Sequence, residues 1–537
     1  MRPTEAWLRR CIFPAERAQL GEVSETVHTV PPPFARRRTP GGNWSRASWP
    51  ERILAFGLAV QLNIVLFAGG GVLFWSEWWN LGLGTAFFVF ALLAYPRGTP
   101  PAARPLRRLL TFPLFWIGLL LLAYVAVQAH NIAWTYIRFE GGAGMRPVEG
   151  AVPWLPQGFV APLEQENPFR WMLRLLPAWL AVCAAWAGLR GRGAVLLALT
   201  LLALSLIVWT AIAYWQYITG AEKMLWLWEV RARQPRFFWG TFVNSNHGAL
   251  TLVLGQALLL SLFLRGARSQ YMRTLRLMGP HFLYLPLAFV FAAGVIPSGS
   301  RGGMAVTLVL WTVFVLLGTV ALWQLVRGRA LVLPLAAGAL LLTALGFVLN
   351  NPDVWDRLQH ALTKTERLTA DIDSEARTWV NRIGMEMVRD KPAFGWGAGG
   401  WRYFYPQYGP YFPEFQPVRR LLLRDRETGE IIRNERGRAQ WRTVPVWYRQ
   451  AHNDWLELVV ELGWAGASIV FAGLLCWLAA LARRCWRDPA ALMLATGPAL
   501  LLVAAAWEFH FRLPAPLLWT GVLMVLALRL PARRVAT

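Results

Sequence analysis

Charged side chains are scarce in this chain, 16% of 537 residues where a soluble domain carries roughly 25%. With 56% hydrophobic residues and so few charges, the chain cannot clothe a water-exposed surface and reads as a polytopic membrane protein. Acidic residues are scarcer than basic ones, 30 Asp and Glu against 54 Lys and Arg, for a net charge of +24. In a soluble protein that balance would suggest nucleic acid. Here most basic residues fall in short connections between apolar runs, where they set membrane orientation, so no nucleic-acid partner is expected. Cysteine is nearly absent. Cys11, Cys183, Cys476 and Cys485 are scattered, without CxxC spacing or clustering with His, and read as free thiols. Residues 1–50 lack the apolar core of a cleavable signal peptide but hold Pro31-Pro32-Pro33 and Arg36-Arg37-Arg38; they read as a flexible cytoplasmic tail.

What is present is a series of apolar runs of spanning length, about 20 residues each. They lie at 53–75, 79–95, 109–128, 171–189, 193–215, 245–264, 281–298, 303–326, 330–350, 455–481, 490–508 and 515–530. The expected fold class is therefore all-α, an integral membrane protein of about twelve transmembrane helices. Spans one to nine occupy 51–350, a large and partly helical loop occupies 351–454, spans ten to twelve occupy 455–530, and 531–537 form a short tail.

An even number of spans puts both ends, and every second connection, on one side. The basic clusters all land there: Arg97 with Arg104, Arg107 and Arg108; Arg190 and Arg192; Arg265, Arg268, Arg273 and Arg276; Arg327 and Arg329; Arg483, Arg484 and Arg487; Arg533 and Arg534. The positive-inside rule then places both termini in the cytoplasm. The other side receives 129–170, 216–244, the tight turn Ser298–Gly303 and the long loop. Arg419, Arg420, Arg424, Arg426, Arg433, Arg436, Arg438, Arg442 and Arg449 of that loop read as a solvated or headgroup-facing surface, since long loops translocate regardless of charge. A loop of this length is expected to fold as a lid. Within it, Asp373-Ser374-Glu375 offers a helix start, Pro392 and Gly395 a stop, and Ala376, Trp379, Val380, Ile383 and Met387 an apolar stripe. An amphipathic helix near the membrane surface is expected. Gly395-Trp396-Gly397-Ala398-Gly399-Gly400, which follows, lacks the spacing of a nucleotide-binding loop.

Four groups with chemical potential share the non-cytoplasmic face. The first is Gly240–Gly248, with Asn244, Asn246 and His247, which either lines a sugar site or caps the sixth span. The second is Ser300-Arg301-Gly302-Gly303, where a guanidinium at a helix N-terminus suits phosphate, or the turn simply joins two helices. The third is Arg377. The fourth is His452-Asn453-Asp454 at the mouth of the tenth span, with Glu461 about two turns inside, structural or catalytic.

These motifs in this order resemble the bacterial O-antigen ligase and O-antigen polymerase family. The resemblance rests on Thr241-Phe242-Val243-Asn244-Ser245-Asn246-His247, on Ser298–Gly303, on Arg377 before Pro392–Gly397, and on His452–Leu456 followed by Glu461–Gly466. It implies glycan transfer from an undecaprenyl-diphosphate carrier to an acceptor hydroxyl on the periplasmic side of the bacterial inner membrane, with inversion and without metal or other cofactor. Two departures stand out: Asn381 holds a position where the family often has tryptophan, and the arginine-rich segment 415–450 has no family counterpart.

The residue types fit that chemistry independently. A diphosphate leaving group carries about two negative charges, which Arg301 and Arg377 would meet. His452 would act as general base or orient the acceptor, with Asn453 or Asp454 as its partner. Ser300, Gly302, Gly303, Asn244, Asn246 and His247 complete the expected substrate contacts. The partners are then a lipid-linked glycan donor, a lipid or glycan acceptor, and membrane lipids. Polysaccharide polymerase and protein O-oligosaccharyltransferase remain open within the family; a transporter of lipid-linked glycan or of a small anion is the reading from another class.

Overall fold

The computed structural model describes residues 47–530, apart from 96–97, 102–103, 141, 230–237, 327–369, 416–417, 423–431, 434–439 and 446–447. The ninth predicted span, both tails and Arg97, Arg327, Arg329, Arg424, Arg426, Arg436 and Arg438 lie outside the described residues. Every other predicted span lies on a helix. In order these are α1 (Trp49–Phe67), α2 (Phe74–Leu93), α4 (Pro113–His130, after the short α3, Pro105–Leu110), α5 (Pro168–Gly188), α6 (Arg192–Ile218), α7 (Ser245–Thr274), α8 (Tyr284–Val295) and α9 (Arg301–Val326). Two loop helices follow, α10 (Ala370–Asp390) and α11 (Trp401–Tyr408), then α12 (Asp454–Cys485), α13 (Pro489–Ala504) and α14 (Pro514–Arg529). Among the described residues, seven helices are long and apolar enough to cross a membrane, and the protein is a multi-pass membrane protein.

Helix starts follow local chemistry. Asn167, Asn244, Asn453 and Asp488 each precede a helix and accept a first-turn N–H through the side chain. Proline opens α4, α5, α13 and α14, where its missing N–H leaves no bond unmade. Burial sorts the helices into two kinds. The best-buried span is α7, apolar all round and 94% buried, which is the pattern of a bundle's central helix. By contrast α9 is 11% buried and presents Leu316, Val320 and Trp323 outward, as a lipid-facing helix would.

The protein is mostly helical but not all-α. Residues 129–170 hold a three-stranded sheet, β1 (Ile132–Phe139) between β2 (Gly142–Pro147) and β3 (Gly158–Val160). Its cause is legible afterwards: Trp134 and Tyr136 alternate with Ala133, Thr135 and Ile137, and one face stacks on α11 through Trp134–Phe404 and Tyr136–Tyr403 ring contacts at 5.5 and 5.2 Å. A two-residue pair, β4 (Lys223–Met224) with β5 (Trp228–Glu229), lies in the next long connection. Part of the arginine-rich segment forms an antiparallel pair, β6 (Val418–Leu422) with β7 (Trp441–Pro445).

The amphipathic loop helix exists, yet it starts at Ala370, before the expected cap at Asp373. Its apolar stripe also faces protein. Val380, Ile383 and Met387 are buried in a cluster with Trp401, Phe404, Leu456 and Val460, so the stripe clamps the loop onto α12 and α11.

The junction between loop and span is a break in α12. Gly463 sits at φ 62°, ψ −179°, outside the helical region, and the freed backbone groups are taken up by residues 392–397. Trp464 and Ala465 N–H donate to Pro392 and Ala393 carbonyls at 2.8 and 3.1 Å, while Trp396 and Gly397 N–H donate to Val460 and Glu461 carbonyls at 2.9 Å each. Tyr124 and Gln128 of α4 tie off the same seam: the Tyr124 hydroxyl donates to Leu462 O at 2.5 Å and Gln128 Nε2 donates to Phe394 O at 3.1 Å. A Cβ at Gly463 would lie 2.3 Å from Ala393 O, and one at Gly395 2.5 Å from the Glu461 backbone. The two glycine motifs of the sequence are thus halves of one joint.

Gly463→Ala is expected to destabilise by about 3 kcal/mol or more, from backbone strain and overlap together. Gly82→Ala in α2, where nothing lies within 4 Å, should be neutral or gain about 0.5–1 kcal/mol. Thermal melting in detergent compares them; equal shifts in both variants would remove the joint as the cause.

Candidate functional site

The predicted residues meet on a feature that the motifs do not contain, the turn Ala505–Arg512 between α13 and α14. Six residues converge on it. A Cβ at Gly302, beside Arg301, would lie 2.9 Å from Trp507 Nε1. Arg377 Nη1 donates to Trp507 O at 3.4 Å. Asn246 Nδ2 donates to Glu508 Oε1 at 2.7 Å. His247 and His452 both stand edge-on to the Phe509 ring, each with centroids 4.7 Å apart. Asp454 N–H donates to Ala505 O at 2.8 Å, and Asp454 Oδ2 accepts from Phe511 N–H at 2.9 Å.

Some predicted substrate contacts turn out to hold the backbone. Asn244 caps α7, accepting from Asn246 N–H, and Asn453 caps α12, accepting from Leu456 N–H. Ser300 Oγ accepts from Gly303 N–H at 3.1 Å at the start of α9, and Gly303 packs against Ala249. Asp454, bonded to the turn, positions Phe511. Of the two predicted arginines, Arg301 is exposed at the first position of α9, and Arg377 is half-buried in α10.

His452 is distinctive in its backbone. It adopts φ 53°, a left-handed conformation that a non-glycine residue holds only when its surroundings compel it, and such strain clusters at active sites. Fully buried Ala451 on one side and the Asn453 cap on the other supply the compulsion.

Beneath the turn lies a buried network of charges. Arg512 Nη1 reaches Glu461 Oε2 at 2.8 Å and its Nε reaches Glu457 Oε2 at 3.4 Å. Burial alone would lower the Arg512 guanidinium, but the Glu457 and Glu461 carboxylates outweigh it and hold it above its usual range. Arg174 donates to Arg512 O at 3.3 Å and pairs with Glu77 and Glu166, and Arg170 joins Glu77 at 3.1 Å. Burial raises the Glu166 carboxyl less than Arg174 lowers it, leaving it at about 2. Glu461 Oε1 also accepts from Trp401 N–H at 3.3 Å, tying α11 to the network. His510, fully buried beside these groups, is pulled down to about 3 by desolvation and stays neutral.

Sequence reading missed Trp507, Glu508, Phe509 and Arg512. A signal existed: six aromatic or ionisable residues in a row, Trp507–Arg512, span the end of one apolar run and a connection already assigned to the non-cytoplasmic side. The sequence also holds an acidic D-x-D triplet, Asp371-Ile372-Asp373, in the first turn of α10 with side chains outside the described residues.

Residues 286–471 match the family model described as O-antigen ligase. This segment is therefore similar to the O-antigen ligase family over about a third of the chain. It supports a ligase- or polymerase-type role in membrane glycan processing, and it contains Arg301, Arg377, His452 and Glu461. The Asn244–His247 motif precedes the matched segment and the turn follows it, so both reach residues of that segment through the fold. No curated protein matches the chain.

Arg512→Met leaves two buried carboxylates without their cation and should cost about 3–5 kcal/mol, whereas Arg512→Met with Glu457→Gln and Glu461→Gln should recover most of it. Detergent melting curves decide. For His510 the unfolded imidazole takes up a proton below about pH 6.5 while the folded one does not, so stability should fall as pH drops from 6.5 toward 5, by up to about 1.4 kcal/mol per unit. His510→Phe should flatten that slope.

Proposed function

We propose that the protein transfers a glycan from an undecaprenyl-diphosphate carrier to an acceptor hydroxyl at the periplasmic face of the bacterial inner membrane, with inversion and without a metal. The observation that carries this reading is the convergence of a strained His452, Arg377 and the Arg301 turn on Trp507–Phe509.

Cleaving the sugar C1–O bond sends an electron pair onto a diphosphate with about two negative charges. One guanidinium about 4 Å from a phosphate charge contributes roughly 4 kcal/mol at an effective dielectric near 20, before desolvation. In this reading Arg301 and Arg377, carried on separate helices, receive that charge, and cations held before the reaction need little reorganisation as it develops. His452 takes the acceptor proton or aims its lone pair at C1 from the opposite face, which inverts the anomeric centre. Phe509 packs edge-on against the His452 imidazole and restricts the plane of that ring.

Reconstitution in liposomes with a lipid-diphosphate glycan donor tests the reading, with lipid, glycan and protein acceptors offered in parallel to separate ligase, polymerase and oligosaccharyltransferase. His452→Ala should slow transfer about 10²–10⁴-fold and Arg301→Ala or Arg377→Ala about 10²–10³-fold, with melting midpoints near wild type. Chelator should leave the rate unchanged. Wild-type rates in both His452→Ala and Arg301→Ala would refute the assignment.

A further inference from the structure

The opposite end of the bundle gathers a second set of arginines from four separate segments: Arg108 of α3, Arg190 between α5 and α6, Arg484 in the last turn of α12 and Arg529 in the last turn of α14. Trp186, buried near the end of α5, is the hub of Arg108, Arg484 and Arg529, while Arg190 Nη1 donates to Thr99 Oγ1 at 3.3 Å. Arg484 lies over its ring 4.9 Å from the centroid and Arg529 at 5.5 Å. Arg108 Nη2 donates to Trp186 O at 2.7 Å, and the Trp186 indole N–H donates back to Arg108 O at 3.1 Å. Arg529 Nη2 donates to Leu189 O and Arg190 O at 2.7 and 3.0 Å. Stacking and carbonyl bonds therefore preorganise the forks, in contrast to arginines that trail into headgroups.

The charge there is unbalanced. Glu51 is the carboxylate within electrostatic reach, and its oxygens already accept from Arg190 and Gly191 N–H at 2.9 and 2.6 Å and from Ser48 N–H and Oγ at 2.9 and 2.8 Å. Among the described residues none of the four guanidiniums forms an ion pair. Burial, then the neighbouring Arg529 and Arg190, push the Arg108 guanidinium down to about 9, as expected where like charges crowd a half-buried space. The sequence adds Arg533 and Arg534 beyond Arg529 and no acidic residue.

We propose that Arg108, Arg190, Arg484 and Arg529 form a phosphate-binding site at the arginine-rich end of the bundle, with Trp186 as its floor. Planar forks in this number match a tetrahedral oxyanion, and Arg484, exposed at the rim, leaves the way in open. The phosphate belongs either to an anionic phospholipid headgroup, for which exposed Leu106 and Leu110 on α3 offer an apolar bed for the chains, or to a soluble phosphate or diphosphate. The site is separate from the turn at the other end and does not depend on the transfer reaction.

Native mass spectrometry of the full-length protein from nanodiscs of phosphatidylcholine with one quarter phosphatidylglycerol tests this, with thermal shifts against inorganic phosphate and diphosphate in pure phosphatidylcholine as the second arm. Wild type should retain phosphatidylglycerol, or be stabilised by the soluble anions if those are the source. Arg484→Gln should weaken retention about tenfold, equal to about 1.4 kcal/mol, while Arg483→Gln next to it stays at wild type. Arg484→Lys, which keeps the charge but not the fork, should fall between them. No anion response in either arm, or equal losses in the Arg483 and Arg484 variants, would overturn the proposal.

Discussion

A guanidinium at a membrane boundary is stable only when its charge is met, and Arg512 meets that condition through Glu457 and Glu461. Much of the candidate site depends on this arrangement. The two carboxylates lie one turn apart on α12, so a single cation fastens the connection between the last two helices to the first turns of the tenth predicted span. With the connection fastened, Trp507, Glu508 and Phe509 stand where α7, α9, α10 and α12 all reach them. The same Glu461 reaches the loop helix α11, so loop, span and turn share one electrostatic anchor.

On this platform the proposed chemistry divides between rigid elements. Arg301 opens a long helix, Arg377 rides on a loop helix whose apolar stripe is buried, and His452 is held in a strained conformation by its neighbours. Placing each charge on a different element gives the site its geometry from packing. Flexible side chains contribute little to it.

Much of this was legible in the sequence because membrane spans announce themselves by length and composition, and because a charge beside an apolar run has few inexpensive explanations. The helices were found that way, and Arg301, Arg377 and His452 were singled out as candidates on the same ground. The turn was not. Arg512 looks like an ordinary boundary arginine until its partners, some fifty residues earlier, are seen to face it. The strands of 132–160 escaped for another reason: their stability comes from stacking on Phe404 and Tyr403, far along the chain, and a short sheet has weak local signals of its own. Asn244 and Asn453 were correctly placed at helix starts, and only the hydrogen bonds decided between capping and substrate contact.

The break at Gly463 bears on how the protein is made. Lipid offers no hydrogen bonds, so an interrupted span is costly unless other backbone fills the gap. Here the filler is 392–397, which the ribosome delivers some sixty residues before the span itself. The two stretches are complementary: α12 completes its hydrogen bonding around Gly463 only when 392–397 is docked beside it, so the folding of that span is coupled to the placement of the loop segment made before it.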